Sequence, residues 1–94
     1  MSPIKTNDII HGLERKGFVR SEGDHSHFVL HLNGKRTLIR TKISHGNSEI
    51  GDRLIGLMSW QLKLDNKKFM DLIYCPLTLD GYLEELHNQG VQII

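Results

Sequence analysis

The sequence predicts an α+β domain: one helix, three antiparallel strands, a second helix, and a helical tail. Three observations carry that prediction. The pair Asn33-Gly34 stands between two runs of alternating apolar and polar residues. Apolar residues at three- and four-residue spacing precede those runs, and the same spacing returns after Ile50. At 94 residues there is room for one modest core and not for two, so residues 1–94 are expected to form a single domain.

In chain order, Thr6 is the expected cap of a helix from Asn7 to about Lys16. Ile9, Ile10 and Leu13 line one side of it, and Gly17 supplies the left-handed residue after its end. Phe18 to Ser21 reads as a short strand, and Glu22-Gly23-Asp24 as the polar turn that leads into a hairpin. Asn-Gly favours a two-residue type I′ turn, because both central residues need positive φ. With that loop, Leu32 faces Lys35, His31 faces Arg36, Phe28 faces Ile39, His27 faces Arg40 and His25 faces Lys42. Alternation then gives the hairpin an apolar side of Phe28, Leu30, Leu32, Thr37, Ile39 and Ile43.

Beyond Lys42, Ser44 to Ser48 reads as a loop, and Gly51-Asp52 announces a second helix whose apolar stripe is Leu54, Leu57, Met58 and Leu62. Trp60 falls off that stripe and is expected to be covered in part by the C-terminal extension. Asp65 caps a third helix with Phe69, Met70, Leu72 and Ile73 as its buried face, ended before Pro76. Thr78 or Asp80 opens a fourth helix, Leu79 to Asn88, with Gly90 beyond its end. Cys75 is the lone cysteine, which excludes an internal disulfide, and no role is assigned to it.

The polar side of the hairpin carries the chemistry. His25, His27 and His31 share it with Arg36, Arg40 and Lys42, which puts proton-exchanging groups among cations on one open surface. A solvated polar face is the plain alternative, since antiparallel sheets commonly wet one side. A zinc or nickel site of the three histidines is disfavoured: alternate strand residues lie about 6.5–7 Å apart, and neighbouring cations oppose a metal ion. No cofactor is expected. Twelve basic and eleven acidic residues leave a formal net charge of +1, so nucleic-acid affinity must come from where cations sit rather than from a generally basic chain. No apolar run reaches membrane-spanning length, and the N-terminus lacks a secretory layout, so a cytoplasmic location without membrane contact is the expectation.

A helix ending in Lys16-Gly17-Phe18 comes first. Gly23-Asp24-His25 follows, then Phe28 opening a strand, a basic hairpin, and Ser44-His45-Gly46 before a helix. That order resembles the HicA family of toxin RNases over about Lys5 to Leu64, with residues 65–94 as a helical extension beyond the family core. The resemblance implies an αβββα fold like that of double-stranded-RNA-binding domains. It also implies an endoribonuclease that cuts messenger RNA without a metal, and a HicB-like antitoxin as partner. By the family's Gly-Ser-His motif, His25 is the catalytic histidine and Gly23 the turn residue that exposes it, with Asp24 standing in place of the serine. His27 and His45 are the candidates for returning the proton, and Arg36, Arg40 and Lys42 for holding phosphate. From the residues alone, a module that binds RNA or a protein without cutting remains the alternative.

Overall fold

The computed structural model describes residues 3–44, 46, 48–74 and 76–93, so His45 and Cys75 lie outside the described residues. The elements in order are β1 (Ile4–Lys5), α1 (Thr6–Arg15), β2 (Phe18–Glu22), β3 (His25–Leu32), β4 (Lys35–Ser44), β5 (Glu49–Ile50), α2 (Asp52–Gln61), α3 (Asn66–Tyr74) and α4 (Leu79–Asn88). Strands β2, β3 and β4 form an antiparallel sheet in sequential order, and β1 pairs with β5 in a separate two-residue ladder.

The hairpin turns at Asn33 (φ 53°) and Gly34 (φ 77°), the positive φ pair that the two-residue loop requires. Near the loop the register is the expected one, with Leu32 across from Lys35 and His31 from Arg36. Beyond it a bulge intervenes. Val29 faces Arg40, so the single residue Leu30 opposes the stretch Thr37-Leu38-Ile39, and the expected pairings farther out do not hold. Phe28 lies across from Thr41 rather than Ile39, His27 from Lys42 rather than Arg40, and His25 from Ser44 rather than Lys42. The slip is by two residues, which preserves side-chain parity, so each strand keeps its expected face.

The backbone freed by the bulge is satisfied locally. The Thr37 hydroxyl donates to the Leu30 carbonyl at 2.7 Å and accepts from the Ile39 amide at 3.2 Å. The Leu38 amide points away from β3 and donates to the Ile93 carbonyl at 2.6 Å, which ties the C-terminal segment to the sheet edge.

The inner face buries Phe28, Leu30, Thr37, Ile39 and Ile43, as alternation predicts, together with Phe18, Ser26 and Thr41. Against it pack Ile9 and Leu13 of α1, Ile55 and Met58 of α2, and a cluster that continues through Phe69, Leu72 and Ile73 into Tyr82 and Leu86. Helix α1 begins one residue earlier than expected. Thr6 is its first residue rather than its cap, Lys5 in the cap position contributes no side-chain bond, and the Thr6 amide is taken by the Ser48 carbonyl at 3.0 Å. The β1–β5 ladder brings Ser48 there, so tertiary pairing does the work expected of a side chain. Gly17 (φ 98°) ends the helix as expected.

Helix α2 is rotated relative to its expected stripe. Its buried residues are Ile55, Met58 and Ser59, while Leu54 and Leu57 are 40% and 46% exposed. Trp60 is 69% exposed and uncovered by the C-terminal segment; the Lys63 ammonium lies 5.4 Å from its ring centre. Asp65 caps α3 through the Lys68 amide (2.7 Å) and Thr78 caps α4 through the Gly81 amide (3.1 Å), as expected. Met70 is only partly buried. No described helix is long and apolar enough to cross a membrane.

Candidate nucleic-acid interface

The outer face of the β3–β4 hairpin collects the residues that the sequence singles out. Arg36, Arg40, Lys42 and His27 are exposed, and His25 and His31 are half-buried. The His25 and His27 rings stand edge to face with centroids 6.4 Å apart. Across the ladder, Lys42 adjoins His27 and Ser44 adjoins His25. His31 stands apart from this pair: it lies beyond the bulge, opposite Arg36, with Nδ1 3.0 Å from the Val29 carbonyl oxygen. No group of three or more His, Cys, Asp and Glu side chains converges as a metal cage among the described residues.

The cations of the molecule divide into two kinds. Arg15 donates to the Ile73 carbonyl at 3.1 Å, and Arg20 is paired with Glu22, so both are committed to the scaffold. Among the described residues no acidic side chain pairs with Arg36, Arg40 or Lys42. Unpaired cations in a row on an open strand form a local positive field that a nearly neutral chain otherwise lacks. Asp24 is exposed and bonds to neither His25 nor Lys42, so it does not orient the histidine as a neighbouring acid would. Gly23 sits in the two-residue connection between β2 and β3, its amide donating to the His25 carbonyl at 3.2 Å. A Cβ on Gly23 would meet open space and its φ is not in the left-handed region, so neither a close approach nor the backbone reserves this position for glycine.

Two hollows flank the end of the hairpin and share Ser44. The first is a groove enclosing about 70 Å³ between β4 and α2. His25, Lys42 and Ser44 form its polar side; Ile50, Leu54, Leu57 and Met58 form its apolar wall. The groove is not apparent in the sequence, where Leu54 and Leu57 read as core positions. One signal is present nonetheless: α2 carries Leu54, Ile55, Leu57 and Met58, more apolar positions than one packed stripe uses. The second hollow, near Thr6 and Asn7 at the start of α1, is polar and contains the Glu22 carboxylate, which accepts from Arg20 and from the Ser26 hydroxyl at 2.9 Å. Arg20 lines the same hollow, so its guanidinium and that carboxylate offset each other there. The Thr6 hydroxyl is buried without a partner among the described residues.

Compared with known proteins, the chain matches no family model, no curated protein and no solved structure.

Proposed function

We propose that the outer hairpin face is the reaction centre of an endoribonuclease, a toxin of the HicA kind acting on messenger RNA in the cytoplasm. The observation that carries this reading is the placement of His25 and His27 side by side on the same open surface as the unpaired Arg36, Arg40 and Lys42. The element order α1, β2–β4, α2, with both helices on the inner side, supports an αβββα fold like that of double-stranded-RNA-binding domains, to which α3 and α4 are added.

In this reading the substrate supplies the nucleophile. His25 takes the proton of a ribose 2′-hydroxyl as its oxygen forms a bond to the adjacent phosphorus. The bond from phosphorus to the 5′-oxygen breaks, and His27 gives that oxygen a proton, leaving a 2′,3′-cyclic phosphate and a 5′-hydroxyl. Lys42 and Arg40 neutralise charge on the pentacoordinate phosphorane, and Arg36 holds a neighbouring phosphate. His45, the other proton-donor candidate, lies outside the described residues. Neither step draws on a metal ion. A protein with acidic side chains that covers His25 would compete with RNA, and a HicB-like antitoxin is the proposed inhibitor.

The test is incubation of the purified protein with RNA in the presence of EDTA, followed by analysis of the fragment ends. Cleavage that survives chelation and leaves cyclic phosphate ends is expected. A strict need for added divalent metal, or ends bearing 5′-phosphate, contradicts the mechanism. RNA binding without cleavage identifies a non-catalytic RNA-binding module on the same surface.

A further inference from the structure

We infer that the groove between β4 and α2 is a nucleobase pocket: it takes one unstacked base of single-stranded RNA beside the phosphate held at His25 and Lys42. The inference rests on the RNA reading of the hairpin face and adds where the base next to the reacting phosphate goes.

Three features of the groove point to that occupant. Its opening is polar and cationic, with His25, Lys42 and Ser44, while its wall is apolar, with Leu54, Leu57 and Met58. A nucleotide has the same two-part chemistry, an anionic phosphate joined through a sugar to a flat ring with a weakly hydrated face.

The second feature is Gln61. Its Oε1 accepts the Thr41 hydroxyl at 2.6 Å, which fixes the amide, and its Nε2 has no partner among the described residues although Gln61 lines the groove. A donor held in place against an apolar wall suits the carbonyl and ring-nitrogen acceptors on base edges. The third feature is charge: among the described residues no acidic side chain lines the groove, whereas in the neighbouring polar hollow Glu22 is paired with Arg20. A phosphate therefore meets the uncommitted Lys42 on one side of Ser44 and, on the other, a guanidinium already held by a carboxylate. Duplex RNA keeps its bases stacked and paired, so the pocket selects single strands, loops and ends.

The experiment uses the full chain and a pair of fluorescent single-stranded oligonucleotides with 2′-O-methyl sugars, which cannot be cut through the 2′-oxygen. The two have the same length and phosphate count, and one carries an abasic position in place of each central base. Wild type should bind the base-bearing strand about tenfold or more tighter, the scale of one sequestered base. Leu57→Ser should bring that ratio close to one while leaving the salt dependence unchanged. Gln61→Glu, which keeps the acceptor for Thr41 and removes the donor, should lower the ratio as well, and thermal melts establish that both variants are folded. Lys42→Ala should weaken both strands equally and flatten the salt dependence.

A ratio unchanged in both groove variants, with the Lys42 effect intact, overturns the base pocket while leaving the RNA surface standing. The groove is then an apolar docking face for a protein. Failure of wild type to bind either strand overturns the RNA reading itself, and the pocket with it.

Discussion

Helices α1 and α2 each carry a glycine in mid-helix, Gly12 and Gly56, and the surroundings of the two could hardly differ more. A Cβ built on Gly12 would lie 2.6 Å from the carbonyl oxygen of Ile73 and 2.8 Å from its Cα, so α1 and α3 touch backbone to side-chain position. A Cβ built on Gly56 would meet nothing within 4 Å. The α1–α3 seam is further closed by Arg15 on the Ile73 carbonyl and by the Tyr74 hydroxyl donating to Asp8 at 3.2 Å. On the α2 side the helix packs with Ile55 and Met58 and leaves Leu54, Leu57 and Trp60 outward. One flank of the sheet is held by close contact and the other is left open. The candidate site lies on the open flank, where unused apolar surface meets unpaired cations.

The same substitution should therefore have opposite signs in the two helices. Gly12→Ala pushes a methyl into the backbone of α3 and should destabilise the protein by about 1–3 kcal/mol or more, as overpacking does. Gly56→Ala adds helix propensity without a collision and should stabilise by about 0.5–1 kcal/mol. Chemical denaturation of both variants measures this directly, and two changes of the same sign would break the contrast between a closed and an open flank.

A smaller stability effect, with a large effect on binding, is expected where the open flank meets solvent. Arg40→Ala and Lys42→Ala should each change stability by no more than about 0.5 kcal/mol, because neither cation is committed to a fold contact. Each should weaken RNA binding across unrelated sequences and reduce the slope of log affinity against log salt by about one phosphate contact. Unchanged slopes in the double variant would exclude the hairpin face as the RNA site.

The smallest effect concerns the closed side, where Lys68 of α3 reaches Glu85 of α4 at 2.8 Å. The Lys68 ammonium, then the Gln89 amide, hold the Glu85 carboxyl below its ordinary range, and Glu85 in turn raises Lys68. A depressed carboxyl stabilises the fold above its unfolded-state range, and that contribution is lost as pH falls through the folded-state value. The raised lysine contributes below its own unfolded-state range and loses that contribution as pH rises through its higher folded-state value. Glu85→Gln should lower the melting temperature at neutral pH and not at all in strong acid, and only slightly, because both half-buried partners remain in contact with solvent and are screened by it. A difference that grows on acidification would reverse the assignment.

Much of this architecture is legible in the sequence because the signals are local. Asn33-Gly34 specifies its turn, alternation specifies which residues of β3 and β4 face inward, and Asp65 and Thr78 cap the helices that follow them. What the sequence hides is what depends on distant partners. The bulge opposite Leu30 leaves face parity intact, so the alternation carries no trace of it, and what changes is the cross-strand neighbour of each residue beyond it, His25, His27 and Phe28 included. The rotation of α2 is hidden because two overlapping apolar stripes, one through Ile55 and Met58 and one through Leu54 and Leu57, both satisfy helical spacing. Thr6 looks like a cap until the β1–β5 ladder, two residues on each side, delivers Ser48 to its amide. Residue types at the candidate site were thus readable, whereas the groove beside them required the packing.

In the proposed mechanism His25 acts on RNA and does not hold up the fold. Half-buried on the outer face, it should be replaceable by alanine at a cost in stability of less than about 1 kcal/mol. The decisive measurement is a side-by-side assay of wild type and His25→Ala for RNA cleavage in EDTA, with thermal melts of the same samples. If His25 is the general base, cleavage is lost in a variant that melts within a few degrees of wild type. Full cleavage by a folded His25→Ala protein would contradict that role.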